Sequence, residues 1–223
     1  MMEKTIQIPL CLDLDEVKTN LRVGDWGLIQ ALLEAANALI SAKAVCRVCY
    51  IEQKLEDSVI IDGVLFHSRV LRKNLENVKR VFPFVITIGA QFEEKADAST
   101  DFLAKYYLDT IGNMALRKAR KHLEDRLRSQ FALAGLSSMS PGSLADWPIE
   151  EQRPLFSLLQ GAEASIGVLL TEHLLMIPKK SVSGIYFPTE TTFYSCRLCP
   201  RERCEGRKAP YDPDLVGKYN LGQ

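Results

Sequence analysis

The amino-acid sequence predicts an α+β fold, and three observations carry that prediction. Residues 101–131 keep an apolar stripe at helical spacing through Leu103, Tyr107, Ile111, Met114, Ala115, Ala119, Leu123, Leu127 and Phe131, for about eight turns. Two short β-type runs, Val59–Ile61 and Val64–Phe66, flank Asp62-Gly63, a pair suited to a two-residue hairpin turn. Helical and strand patterns are interspersed, with no internal repeat and no low-complexity linker between them.

Taken in order, residues 12–42 read as helical, with Leu28, Leu32, Ala35, Leu39 and Ile40 on one stripe. Val45–Ile51 alternates and reads as a strand. Ser68 is placed to cap a short helix through Leu75. Val81–Ile88 is a continuous apolar run ended by Gly89, the pattern of a buried strand. On the long helix, Lys118, Arg120, Lys121, Glu124, Asp125 and Arg128 form a solvated face. A helix from Pro148 to Leu159 and strands at Ile166–Leu170 and Ser181–Phe187 complete the reading. Residues 1–190 are expected to form the domain, and 191–223 a basic, cysteine-containing tail.

A chain of 223 residues fits one large domain and buries enough surface to need no disulfide framework. Lys and Arg number 28, as do Asp and Glu, so no net field draws the chain to nucleic acid or anionic lipid. No apolar run approaches the roughly 20 residues of a spanning helix. The opening MMEKTIQIPL lacks a basic segment leading into an apolar one, so the expected compartment is the cytoplasm. Six cysteines there read as thiols or metal ligands rather than disulfides.

Four local patterns bear chemistry. Ser140-Pro141-Gly142 is tight-turn chemistry: proline fixes one φ, and glycine permits a positive φ and close backbone approach to a ligand. Glu172 follows an apolar run and is either a strand-end surface charge or an acid facing a ligand or partner. Cys196, Cys199 and Cys204 lie within nine residues among Arg197, Arg201, Arg203, Arg207 and Lys208. Such spacing suits tetrahedral zinc or an edge of an iron–sulfur cluster, and the basic setting favours thiolates; free thiols on a basic tail are the alternative. Cys46 and Cys49 lie three apart on a predicted strand, hence on opposite faces, and read as core residues. No Gly-x-Gly-x-x-Gly, Walker loop or His-Glu-x-x-His occurs.

Residues 138–187 also carry a resemblance. Ser140-Pro141-Gly142, Trp147-Pro148, Gln152, Leu155-Phe156, Ile166-Gly167-Val168, Leu170-Thr171-Glu172, Met176, Pro178 and Lys180–Gly184 resemble the activation domain of cobalamin-dependent methionine synthase, in particular its stand-alone forms. The resemblance covers about residues 20–190. It implies a twisted, mostly antiparallel sheet flanked by helices. It further implies a role in which the domain docks on a cobalamin-binding methyltransferase or corrinoid protein, an electron donor supplies an electron, and S-adenosylmethionine methylates the cofactor. None of His67, His122 and His173 stands in an Asp-x-His-x-x-Gly frame, so the corrinoid is expected on the partner.

The resemblance places the adenosylmethionine site at Ser138, Pro141, Gly142, Ser143, Glu172 and Ser183. The family pattern of arginine, three residues, glycine and tyrosine here has Ser138 for arginine and Ser143 for tyrosine. Serine lacks the charged planar fork that grips a carboxylate, so weak or absent adenosylmethionine binding is expected. The alternative functions are then a redox partner, with a metal or iron–sulfur tail, or a docking module holding structural zinc.

Overall fold

Strand β1 (Lys4–Gln7) leads into helices α1 (Leu14–Leu21) and α2 (Trp26–Leu39). Strands β2 (Lys43–Cys46), β3 (Cys49–Lys54), β4 (Ser58–Ile61) and β5 (Val64–His67) follow, then α3 (Arg69–Asn74) and β6 (Arg80–Thr87). Helices α4 (Ala90–Ala98) and α5 (Phe102–Phe131) precede β7 (Leu136–Met139). The remaining elements are α6 (Gln152–Leu158), α7 (Ala162–Ile166), β8 (Leu169–Leu170), β9 (Met176–Ile177), β10 (Ser181–Pro188) and α8 (Pro213–Lys218). This computed structural model describes residues 4–21, 24–204 and 206–219. Among them no helix is long and apolar enough to cross a membrane.

Eight strands form one antiparallel sheet around β6, and β8 and β9 form a separate hairpin. On one edge β6 pairs with β2 and β3, and on the other with β10, which also pairs with β7. The pairings Cys46–Phe84 and Cys49–Val81 share one continuous register, so β2 and β3 are a single strand interrupted opposite Pro83. Proline has no N–H to give the ladder, which opens there. At the β4–β5 turn, Asp62 and Gly63 have φ of 43° and 77°, the two positive angles a type I′ hairpin needs.

Both faces of the sheet are covered. On one, Ala119, Leu123 and Leu127 of α5 pack with Phe82, Phe84, Ile86, Cys46 and Tyr186. Beyond the end of β6, Ile88 joins α1, α2, α4 and the first half of α5 through Val17, Ile29, Leu33, Phe92 and Ile111. On the other face, α3, α6 and α7 pack on Val45, Cys49, Val81, Val85, Ile185 and Phe187, with Trp147 and Phe66 at the centre. Cys46 and Cys49 therefore point into different cores, as their spacing predicts.

The long helix, the hairpin, the Ser68 cap (which accepts a hydrogen bond from Leu71 N at 2.9 Å) and β10 all follow the sequence reading. Two elements differ. The helical stretch 12–42 is two helices, separated near Gly24 and Asp25, where Asp25 caps α2 by accepting from Leu28 N at 3.1 Å. Its buried stripe is Ile29, Leu33 and Ala36, one residue beyond the predicted one, which is only half-buried. The predicted strand Ile166–Leu170 is instead the end of α7, a left-handed Gly167 (φ 72°) and the two-residue β8. The apolar run is buried as a helix end, so burial alone did not fix its period.

The tail lies against the body. Leu198 is buried, and Phe193, Cys199, Leu215, Val216 and Tyr219 pack on the core beneath α3 and α6. Arg197 pairs with Asp212, the N-cap of α8, and Phe193 N donates to Ser137 Oγ at 2.8 Å.

Two predictions follow from these cores. Trp147→Ala, which empties the centre of the larger core, should cost about 3–5 kcal/mol in urea unfolding; a loss below about 1 kcal/mol would mean that the site collapses around the gap. Stability should also fall in alkali. Burial raises the Cys46 and Cys49 thiols from 9.0, and the Tyr186 hydroxyl from 10.0, to about 12. Their stabilisation is complete below the unfolded values. As pH rises from 9 towards 12 the unfolded chain releases protons that the fold still holds, so stability is lost across that window. A urea midpoint unchanged between neutral pH and about pH 11 would contradict this.

Candidate functional site

The Ser-Pro-Gly segment forms the predicted turn. Ser143 N donates to Ser140 O at 3.1 Å, and Gly142, with φ 78°, takes the position where a type II turn needs a positive angle. Gly142 N also donates to Trp147 O at 2.8 Å, closing the loop over the buried Trp147. A second anchor is Asp146, whose Oδ2 accepts from Ser68 Oγ at 2.5 Å and from Val70 N at 2.9 Å, while Oδ1 pairs with Arg69 Nε at 3.2 Å. The loop is thereby fixed to the start of α3. On its other side it abuts β10: a Cβ on Gly184 would stand 2.4 Å from Met139 O and 2.8 Å from Ser140 Oγ.

Beside this loop runs a groove of about 620 Å³ between α5, β7 and the tail. Ser138, Ser140 and Ser143 line one wall, Arg120, Lys121, Glu124 and Arg128 of α5 another, and Thr192–Cys196, Gly206 and Lys208 the third. Arg120 is central. Its guanidinium lies 5.9 Å from the Phe84 ring centre and 6.0 Å from that of Tyr186, and donates to Ser138 Oγ at 2.6 Å. Phe84 and Tyr186 are themselves stacked, with centres 4.4 Å apart. Partial withdrawal from water, and then the like charge of Arg120, lower the pKa of Lys208. Lys121 and Arg128 are paired with Asp125 and Glu124 at 2.6 and 3.0 Å, whereas Arg120 and Lys208 have no ion-pair partner among the described residues.

The sequence-derived site residues do not all meet here. Ser138, Ser140 and Ser143 do, with Pro141 and Gly142 forming the turn at the rim. Ser183 pairs with Val85 and lies on the Ile185–Phe187 face, opposite Ser138, where its buried Oγ has no hydrogen-bond partner. Glu172 is exposed on the β8–β9 turn, and its carbonyl accepts from Arg153 of α6 at 2.7 Å. It does not line the groove. Lys180 is half-buried and held by Asp109 at 2.6 Å and Asn113 at 2.7 Å.

Of the tail cysteines, Cys196 lines the groove and accepts from Lys208 N at 3.4 Å. Arg207 donates to the carbonyls of Cys196 and Cys199, at 3.0 and 3.3 Å, and organises the Cys-x2-Cys loop. Cys204 is exposed. Among the described residues no three His, Cys, Asp or Glu side chains gather to hold an ion, so this arrangement of Cys196, Cys199 and Cys204 does not fit zinc or a cluster, which need converging sulfurs.

Arg120 is the groove residue that sequence reasoning missed. Its place among charged neighbours at helical spacing marks it as solvated; only the pairing of Ser138 with Tyr186 on the α5 face shows where its side chain leads.

With this geometry in view, comparison with known proteins is informative. Residues 139–208 match the family described as vitamin B12 dependent methionine synthase, activation domain. That span contains the turn, Glu172, Ser183 and the three tail cysteines, and begins one residue after Ser138. The fold is shared with the crystal structure of the MetH reactivation domain bound to AdoHcy, with TM-score 0.64 and 15% identity over 87% of this chain and 81% of that one. Comparison with curated proteins gives no match. The chain thus resembles that activation domain, in sequence from 139 to 208 and in fold over most of its length. The matched span crosses residue 190, so the first half of the tail is continuous with the domain in that match.

The Asp146 anchor is testable. Asp146→Ala should cost about 1–3 kcal/mol in urea unfolding by leaving Ser68 and Val70 N without their acceptor, a range that allows for the half-exposed Arg69. Asp146→Asn should lose less, and equal losses would show that charge rather than the hydrogen bonds matters.

Proposed function

We propose that this protein assists the reductive reactivation of a corrinoid cofactor carried by a partner methyltransferase or corrinoid protein, with S-adenosylmethionine bound in the groove beside the Ser140–Ser143 turn. The observation that carries the proposal is the coincidence of the turn and groove with the start of the span that matches the activation-domain family. The shared fold, in a neighbour bound to AdoHcy, supports it.

The groove residues fit such a ligand. Ser138, Ser140 and Ser143 offer hydroxyls along one wall, the left-handed Gly142 lets the turn pack closely on Ile149, and Arg120 places a cation at the position from which serine supplies none. The Phe84–Tyr186 pair beneath the guanidinium holds it in place without neutralising its charge. Adenosylmethionine would supply an electrophilic methyl group; an electron would come from a separate donor, and the methyl would pass to the cobalt on the partner. The contribution of this chain is orientation: it holds the nucleoside and its charged end while the partner docks. No electron step is routed through Cys196, Cys199 or Cys204, which are not gathered as ligands.

The test is reconstitution without oxygen. A cobalamin-binding partner in its cob(II)alamin form, mixed with a low-potential reductant and adenosylmethionine, should convert to methylcobalamin in the visible spectrum only when this protein is added. Conversion at the same rate without it would refute the proposal. Reduction of cob(II)alamin to cob(I)alamin that needs the protein and proceeds with the reductant alone, adenosylmethionine omitted, would favour the redox-partner reading.

A further inference from the structure

Two cations in the groove, Arg120 and Lys208, form no ion pair among the described residues, although Glu124 shares the lining and its charge is felt at Lys208, and the fold holds one of them under constraint. Arg120 is half-buried, lies over two stacked rings and donates to Ser138 Oγ at 2.6 Å. A guanidinium has five N–H donors in a planar fork, so most remain for a ligand. Lys208 comes from the opposite wall, close enough for the Arg120 charge to be felt at its amine. Two like charges facing a shared space, with neighbouring lysine and arginine already neutralised by Asp125 and Glu124, make a site for one negative group.

We propose that Arg120, projected from α5 across the sheet face to Ser138, is the carboxylate-binding residue of this groove, and that Lys208 of the tail completes the clamp. The ligand group is the α-amino-acid carboxylate of an adenosyl-sulfur compound, an identity that rests on the function proposed above. The expectation that Ser138 leaves the carboxylate without a partner is thereby answered by a guanidinium from another element. A flat, preorganised fork suits a carboxylate, and the rings beneath it limit the entropy lost on binding. The tail, on this proposal, is a wall of the ligand site.

Calorimetric titration of the full chain tests this with two probes. S-adenosylhomocysteine has the amino-acid end; 5′-methylthioadenosine keeps the nucleoside and thioether but lacks it. The wild-type chain should bind the first more tightly. Arg120→Gln should weaken S-adenosylhomocysteine on the order of 10–100-fold and leave 5′-methylthioadenosine unchanged. Lys208→Gln should act in the same sense by less. Because Arg120 also packs on aromatic rings, Arg120→Gln combined with Ser138→Arg serves as the control: a guanidinium returned from the strand should restore binding. Equal loss of both probes, or an Arg120→Gln chain that binds S-adenosylhomocysteine as the wild type does, would overturn the assignment while leaving the groove as the site. A wild-type chain that binds neither probe would overturn both the assignment and the ligand named in the proposed function.

Discussion

The described fold is arranged around a strand that, beyond its first residue, is buried on both sides. β6 pairs along both edges and is buried on both faces from Val81 to Thr87. A buried backbone must find its hydrogen bonds within the protein. β10 provides one continuous ladder, and β2 with β3 the other. Pro83 tests the rule, because its carbonyl accepts from Arg47 N at 3.1 Å while its ring nitrogen gives nothing back. In an antiparallel ladder the N–H and C=O of one residue face the same neighbour, so the missing donor falls on the Arg47 side. That is where β2 and β3 separate.

The groove inherits its geometry from the same strand. β10 is fixed by β6, β7 is fixed by β10, and the pairing of Ser138 with Tyr186 turns Ser138 towards α5. Helix α5 is held by the apolar stripe that packs on Phe82, Phe84 and Ile86. Arg120 follows the buried Ala119 on that helix, so its side chain leaves the core edge over Phe84 and Tyr186. Aromatic area, strand register and helix phase together aim a single guanidinium.

Much of the fold was legible because its signals are local. The α5 stripe, the Asp62-Gly63 turn, the Ser68 cap and the apolar run of β6 each follow from residues within a few positions of one another. Elements whose structure depends on distant partners were not. β1 is four residues, Lys4–Gln7, whose alternation is too short to read without its pairing with β2, and β7 reads Leu-Ser-Ser-Met, polar enough to pass for loop until β10 is beside it. The 162–170 segment is ambiguous by composition, since Ile166 and Val168 are buried whichever period they adopt. The candidate site divides in the same way. The turn at Pro141 and Gly142 is dictated by its own residues, whereas the separation of Ser183 from Ser138 depends on which face of the sheet each residue meets. Arg120 was hidden because charge on a long amphipathic helix normally signifies solvent.

The opposed placement of Cys46 and Cys49 has a practical consequence. Each thiol is sealed in a different layer of the protein, one beneath α5 and the other beneath α3 and α6. A thiol reagent reaches either one only when its own layer lifts, since exchange with reagent follows the local opening free energy. The chain therefore contains two native clocks for breathing, one on each side of the sheet, with no label needed. Were the layers to open as one, the clocks would run together. Were a ligand in the groove to steady only the α5 side, Cys46 would slow while Cys49 kept time.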